Sequence, residues 1–164
     1  MSDKSEAKRL REQGFTLVEL AVVVLIIGIL VAIAVPNYLS AQNKAQDRAV
    51  ESTLRNALSA SHEYSINNTG NFPSSTSQAA QDLSSLEGSI TFTTALSPVE
   101  NHVDIVNTSN GGVCMVAKSA SGALFAVFYS VSATAYYGPG TSGYSGSTVP
   151  DCSSMSTTQQ SAGW

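Results

Sequence analysis

From Leu20 to Val35 the chain reads LAVVVLIIGILVAIAV, sixteen residues without a charge, and extending the run back to Phe15 gives twenty-one residues whose single charge is Glu19. As a helix, at about 1.5 Å per residue, this segment is about 30 Å long, enough to cross the hydrocarbon core of a bilayer. Ahead of it stands MSDKSEAKRLREQG, in which Lys4, Lys8, Arg9 and Arg11 make up four of the eight basic residues of the chain. That charge holds the short N-terminal segment on the cytoplasmic side and sends the bulk of the chain outside.

Two ordinary readings account for such a start. One is a secretory signal peptide cut after Ala34, because Ala32 and Ala34 imitate a small-x-small cleavage site. Pro36, at the second position after that cut, and the length of the apolar run argue against it. The other is a plain single-span anchor carrying an unrelated outer domain. Neither explains Glu19, since a carboxylate in an apolar helix costs about 2.5–3.5 kcal/mol at the bilayer centre and calls for a partner.

Gly14-Phe15-Thr16-Leu17-Val18-Glu19, followed by the apolar run, resembles the processing site and assembly helix of type IV pilins. The resemblance implies that a prepilin peptidase cuts after Gly14 and methylates the new amino group of Phe15, while the apolar segment stays on the protein. Glu19 of an incoming subunit then faces the Phe15 amine of a neighbour in a packed helical core, each charge offsetting the desolvation of the other. Sliding one helix by a residue strands both charges, so the pair sets register more than net stability. Gly28 and Pro36 fall where pilin-like helices have weak points, and Tyr38 also fits the pattern. Glycine costs about 1 kcal/mol against alanine inside a helix, and Pro36 lacks the N–H that would bond to Ala32. The stretch between them is expected to extend under packing or load.

Past Pro36 the sequence becomes amphipathic, with Leu39, Val50, Leu54, Ala57, Leu58 and Ser61 near one helical face. One helix from Phe15 to Ile66, about 75 Å if continuous, is expected, stopped by Asn67, Asn68, Thr69 and Gly70. Residues 71–88 read as a connecting loop with a short helix through Leu83 and Leu86. Strands are expected at 89–95, 102–107, 112–118 and 123–132, the last two joined by a hairpin at Ser119–Gly122. From Gly138 onward the Gly, Ser and Thr content reads as loop. The fold class is α+β. The pilin resemblance adds that the hydrophobic half of the helix protrudes and the amphipathic half packs on an antiparallel sheet head. The organisation is then a leader at 1–14, an apolar assembly helix at 15–36, its amphipathic half at 37–66, and a head at 67–164.

Cys114 and Cys152 lie far apart and outside any metal-ligand spacing, which leaves one disulfide or two buried thiols; export outside the cell favours the disulfide. Pilins often tie their C-terminal region in this way. Tyr136, Tyr137, Tyr144 and Trp164 read either as an adhesive surface or as aromatics packing a loop onto the sheet. No Walker A, GxSxG, HExxH or EF-hand pattern occurs, His62 and His102 read as surface or structural residues, and no catalytic residue, cofactor or metal is expected. Beyond residue 11 the only basic residues are Lys44, Arg48, Arg55 and Lys118, and with a formal charge of −4 the chain has no nucleic-acid footprint.

The resemblance therefore implies a homopolymeric structural subunit, held in the cytoplasmic membrane among lipid, served by prepilin peptidase and an inner-membrane assembly machinery, and ending in a surface filament. Adhesion, motility and DNA uptake are equally open as its task. A pseudopilin or minor tip subunit of a secretion or competence filament shares the same N-terminal signal. A secreted binding domain or enzyme released after Ala34 is the reading from another class.

Overall fold

The computed structural model describes residues 15–96, 99, 101–108 and 111–138. The expected leader with Gly14 and the C-terminal loop with Tyr144, Cys152 and Trp164 lie outside the described residues. The chain divides into two compact units, one ending at Ser40 and the other starting at Ala41.

Helix α1 is continuous from Leu17 to Asn67, 51 residues, within two residues of the expected helix at each end. Every described residue up to Ser40 is exposed, including all the large apolar side chains of the run. From Val50 on, one stripe is buried: Val50, Thr53, Leu54, Ala57, Ala60, Ser61 and Ser65, spaced three and four apart as one face of a helix demands. Small residues dominate this stripe and bring the helix close to the sheet, where the Ser61 hydroxyl meets Met115 Sδ at 3.3 Å. The helix ends as its polar tail predicts. Thr69 and Gly70 both adopt positive φ, 53° and 83°, and the Gly70 N–H donates to the Ser65 carbonyl at 2.8 Å, closing the last turn. A Cβ on Gly70 would lie 2.6 Å from a methyl of Val131, so both backbone and space demand glycine there.

Helix α2, Thr76–Leu86, forms where the short connecting helix was expected and buries Ala79, Ala80 and Leu83. Five strands follow: β1 Thr91–Thr93, β2 His102–Asn107, β3 Gly112–Lys118, β4 Leu124–Ser130 and β5 Ala133–Tyr137, in sequential order across one sheet. Strands β2 to β5 form an antiparallel meander. The antiparallel expectation fails at one edge, where β1 runs parallel to β2 with Thr91 beside His102 and Thr93 beside Asp104. Burial alternation says which face a residue takes and leaves strand direction open. Strand β5 was not expected. The 123–132 segment instead breaks at Val131-Ser132, a turn without the usual Gly or Asn, and the Ser130 side chain accepts from the Ala133 N–H at 3.2 Å to close it.

Both faces of the sheet are buried. Val103, Ile105, Val113, Met115, Ala117, Phe125, Val127 and Tyr129 pack in one cluster with α1 and α2. Cys114, Val116, Leu124, Ala126, Ala135 and Tyr137 form a second cluster from the alternate positions. The hairpin between β3 and β4 is tied to α1 by Ser121 Oγ, which donates to Asp47 at 2.6 Å.

Asp104 pairs across the ladder with Val116 of the second cluster, is 7% exposed, and its Oδ1 has no hydrogen-bond partner. Burial pushes its carboxyl above the usual range. A carboxyl with a raised folded-state pKa stabilises the fold below its unfolded value, about 3.9, and loses that contribution as pH rises through the folded value. Asp104→Asn removes the titration. In thermal melts of the detergent-solubilised chain, the variant should gain on the parent as pH rises from about 4 towards neutrality, reaching roughly 1 kcal/mol or more. Parallel pH profiles would contradict this account of Asp104.

Candidate assembly site

The N-terminal turn of α1 is organised around Glu19. Thr16 precedes the first helical residue, and its N–H donates to Glu19 Oε2 at 2.9 Å while its hydroxyl donates to the same oxygen at 2.7 Å. In return the Glu19 N–H donates to Thr16 Oγ1 at 3.2 Å. This is a capping box, in which the N-cap and N3 side chains satisfy each other's backbone donors. A carboxylate at this end of a helix also sits against the positive end of the dipole.

The reciprocal bonds engage Oε2. Among the described residues Oε1 takes no hydrogen bond, so one oxygen of Glu19 stays available while the side chain is held in place. Phe15 lies one turn before Glu19 and is 92% exposed. The structure thus brings Phe15, Thr16 and Glu19 into one turn; Gly14 lies outside the described residues. Thr16 was missed as a site residue, although Thr-x-x-Glu ahead of an apolar run is the sequence signal of this cap.

Beyond that turn the surface is apolar all round. Leu17, Val18, Leu20, Leu25, Leu30 and Ile33 are each more than 60% exposed, far beyond the scattered apolar residues a soluble surface carries. The helix is long and apolar enough to cross a membrane. Gly28 lies in the middle of this stretch, and a Cβ there would meet nothing within 4 Å, so within one subunit no packing contact requires the glycine. Pro36 lies inside the helix, which passes through it without interruption. The next residue, Asn37, donates its side-chain amide to the Ile33 carbonyl at 3.2 Å, within the turn that proline weakens.

The remaining candidates sit apart from this turn. Cys114 is fully buried in β3, and Cys152 lies outside the described residues. Tyr137 is buried in β5 and Tyr136 packs against the helix-facing core, so both serve the sheet. His62 is exposed on α1 with its ring edge-on to Tyr129 at 6.0 Å. Among the described residues no three His, Cys, Asp or Glu side chains are grouped to hold a metal ion.

The family model described as the prokaryotic N-terminal methylation motif matches residues 9–35. The chain is 31% identical over 113 residues to the type IV wide pilus major component PilA4 of Thermus thermophilus, covering 69% of this chain and 78% of that protein. It is 49% identical over 51 residues to the type IV narrow pilus major component PilA5 of the same organism, covering 31% of this chain and 44% of that protein. To the type IV major pilin protein PilA of Myxococcus xanthus it is 47% identical over 45 residues, 27% of this chain and 20% of that protein. No solved structure matches the chain.

The cap makes a direct prediction. Replacing Thr16 with alanine removes the hydroxyl that accepts from the Glu19 N–H and donates to Glu19 Oε2, leaving the bond from the residue-16 N–H in place, a loss worth about 1 kcal/mol. Hydrogen exchange at the Glu19 amide in micelles should therefore quicken about fivefold with the melting of the sheet unchanged. Unaltered exchange would show that the box contributes nothing to the helix start.

Proposed function

The chain belongs to the type IV pilins, and from that premise we propose that Phe15 and Glu19 form its assembly pair. It is a structural subunit of a type IV pilus, membrane-anchored as a precursor and extracellular as part of a filament of pilin subunits. The observation that carries the reading is a half-helix apolar on every side, exposed throughout, with a single carboxylate at its start. Such a surface needs lipid before assembly and other copies of the same helix after it.

In this reading prepilin peptidase removes residues 1–14 by cutting after Gly14 and methylates Phe15. The methylated amine remains a cation. It is the one group that cleavage creates on the retained chain, the new carboxylate leaving with Gly14, and it sits a turn from a carboxylate with an open oxygen. Inside a helical bundle either charge alone is costly, whereas paired across two copies each desolvation is offset, and only one axial stagger achieves that. The capping box supports this role by orienting the carboxylate before the partner arrives, so less side-chain freedom is lost on docking.

The same proposal extends to the remaining candidates. Gly28 and Pro36 mark the stretch that unwinds when helices pack in the filament, and Cys114 pairs with Cys152 to fasten the C-terminal region to β3. An inner-membrane machinery extracts the subunit from lipid. The relatives are structural pilins, and no catalytic role is assigned to this chain.

Glu19→Ala and Glu19→Gln test the pair. Both should leave a processed subunit with a folded head in the membrane, while sheared filaments fall at least tenfold, equivalent to about 1.4 kcal/mol per assembly step. Normal filament yield from Glu19→Ala would remove Glu19 from the mechanism.

A further inference from the structure

Beside its buried stripe, α1 carries a polar edge on the half that packs against the sheet. Gln46, Val50, Thr53 and Asn56 follow one another along it three and four apart, and they line a recess of about 280 Å³. Asn101 from the turn ahead of β2, Lys118 at the end of β3 and Ala120 from the turn after it complete the lining. All of these residues lie in the unit beginning at Ala41.

The wall is held in place. Thr53 Oγ1 lies 3.1 Å from the Ala49 carbonyl and 3.3 Å from Asn101 Oδ1, which ties the turn ahead of β2 to α1. Asn101 has a φ of 60°, a left-handed conformation that asparagine adopts more readily than most residues. With its Oδ1 engaged, its Nδ2 remains a donor without a protein partner. The Gln46 and Asn56 amides and the Lys118 ammonium likewise make no hydrogen bond or ion pair among the described residues. Lys118 is half-buried and is the only Lys or Arg beyond Arg55, and no described Asp or Glu lines the recess with it.

This mixture of groups selects a ligand. Amides both donate and accept, as sugar hydroxyls do, so Gln46, Asn56 and Asn101 match a polyhydroxylated ring better than a ligand that only accepts. A phosphate asks for several strong donors or the fork of an arginine, whereas the recess offers one lysine point charge. A neutral sugar would leave that charge without a counterpart. Ala49, Val50 and Ala120 supply a small apolar patch for the C–H face of a ring. Ligand pockets start at roughly 300 Å³, so the recess suits one ring and not a chain of them. We infer that it is a subsite for a single carboxylated sugar, a hexuronate unit of an acidic polysaccharide, with Lys118 on the carboxylate and Gln46, Asn56 and Asn101 on the hydroxyls. The inference rests on the filament reading for its setting outside the cell, and within that reading it makes adhesion to acidic glycan a task of the filament.

Titration of the isotope-labelled full chain in detergent micelles tests the subsite. The probe is D-glucuronate. D-glucose, with a hydroxymethyl group in place of the carboxylate, and acetate, with the carboxylate alone, are the comparisons. Glucuronate should shift the side-chain amide signals of Asn56 and Asn101 and bind about fivefold or more tighter than either comparison, the margin of one charge-assisted hydrogen bond at a half-exposed site. Lys118→Gln should abolish the preference over glucose. Asn56→Ala, on the exposed surface of α1, should weaken glucuronate about threefold without lowering the melting temperature of the head, and Lys44→Gln, outside the recess, should change nothing. Equal affinity for glucuronate and either comparison, or a preference that survives Lys118→Gln, overturns the assignment. Should Lys118→Gln fail to fold, undiminished binding by Asn56→Ala overturns it instead. Sheared filaments should be retained on an immobilised uronate polymer and released by free glucuronate. Filaments that pass through while the solubilised chain binds would overturn the adhesive task. Absence of filaments from the parent chain would refute the filament reading, an outcome distinct from the titration, which needs no filament.

Discussion

The rest of the molecule depends on a half-helix that has no apolar environment of its own. Twenty-one residues with one charge, all exposed in the single chain, cannot be left in water, and the only covers of the right chemistry are lipid and other copies of the same segment. A uniform apolar helix would slide and rotate among identical neighbours, because one Leu contact resembles the next. In the proposed assembly Glu19 breaks that degeneracy. Its position in the first turn, fixed by two bonds from Thr16, puts a charge at the same height on every copy, beside the amine that the proposed cleavage after Gly14 creates.

The head solves a different problem with the same helix. After Ser40 the apolar residues retreat to one stripe, and their small size brings α1 close to the sheet. The strands are apolar on both faces, so β3 reads as a nearly continuous buried run. That leaves the polar exceptions conspicuous. Ser61 is satisfied by its own helix, donating to the Ala57 carbonyl at 2.9 Å. Asp104 has no such outlet for Oδ1, so its neutral form suits its surroundings better.

Much of this was legible in the residues. The uncharged run asks for lipid or copies of itself on chemical grounds alone, and the Gly14-to-Glu19 motif adds the assembly reading through its resemblance to type IV pilins. Strands β2 and β3 stand at the expected positions, since their apolar runs are bounded by polar or turn residues. The parallel edge at β1 was hidden because alternation carries no direction. Strand β5 was hidden because Val131-Ser132 lacks turn chemistry. The burial of Asp104 was hidden because His-Val-Asp-Ile looks like a strand with one wet face, and only the second cluster shows that neither face is wet. Thr16 was in plain view as a capping residue, and its contribution needed only the rule that pairs Thr with Glu three residues later.

The central claim is that the chain keeps its apolar helix and begins at a new, charged amine one turn from Glu19. Mass spectrometry of the N-terminal peptide of protein sheared from cells reads this directly. The account predicts a terminus at Phe15 bearing one N-methyl group. A terminus at Val35 would mean that the apolar helix is discarded, and an intact Met1 would mean a plain anchor; either result would contradict the claim.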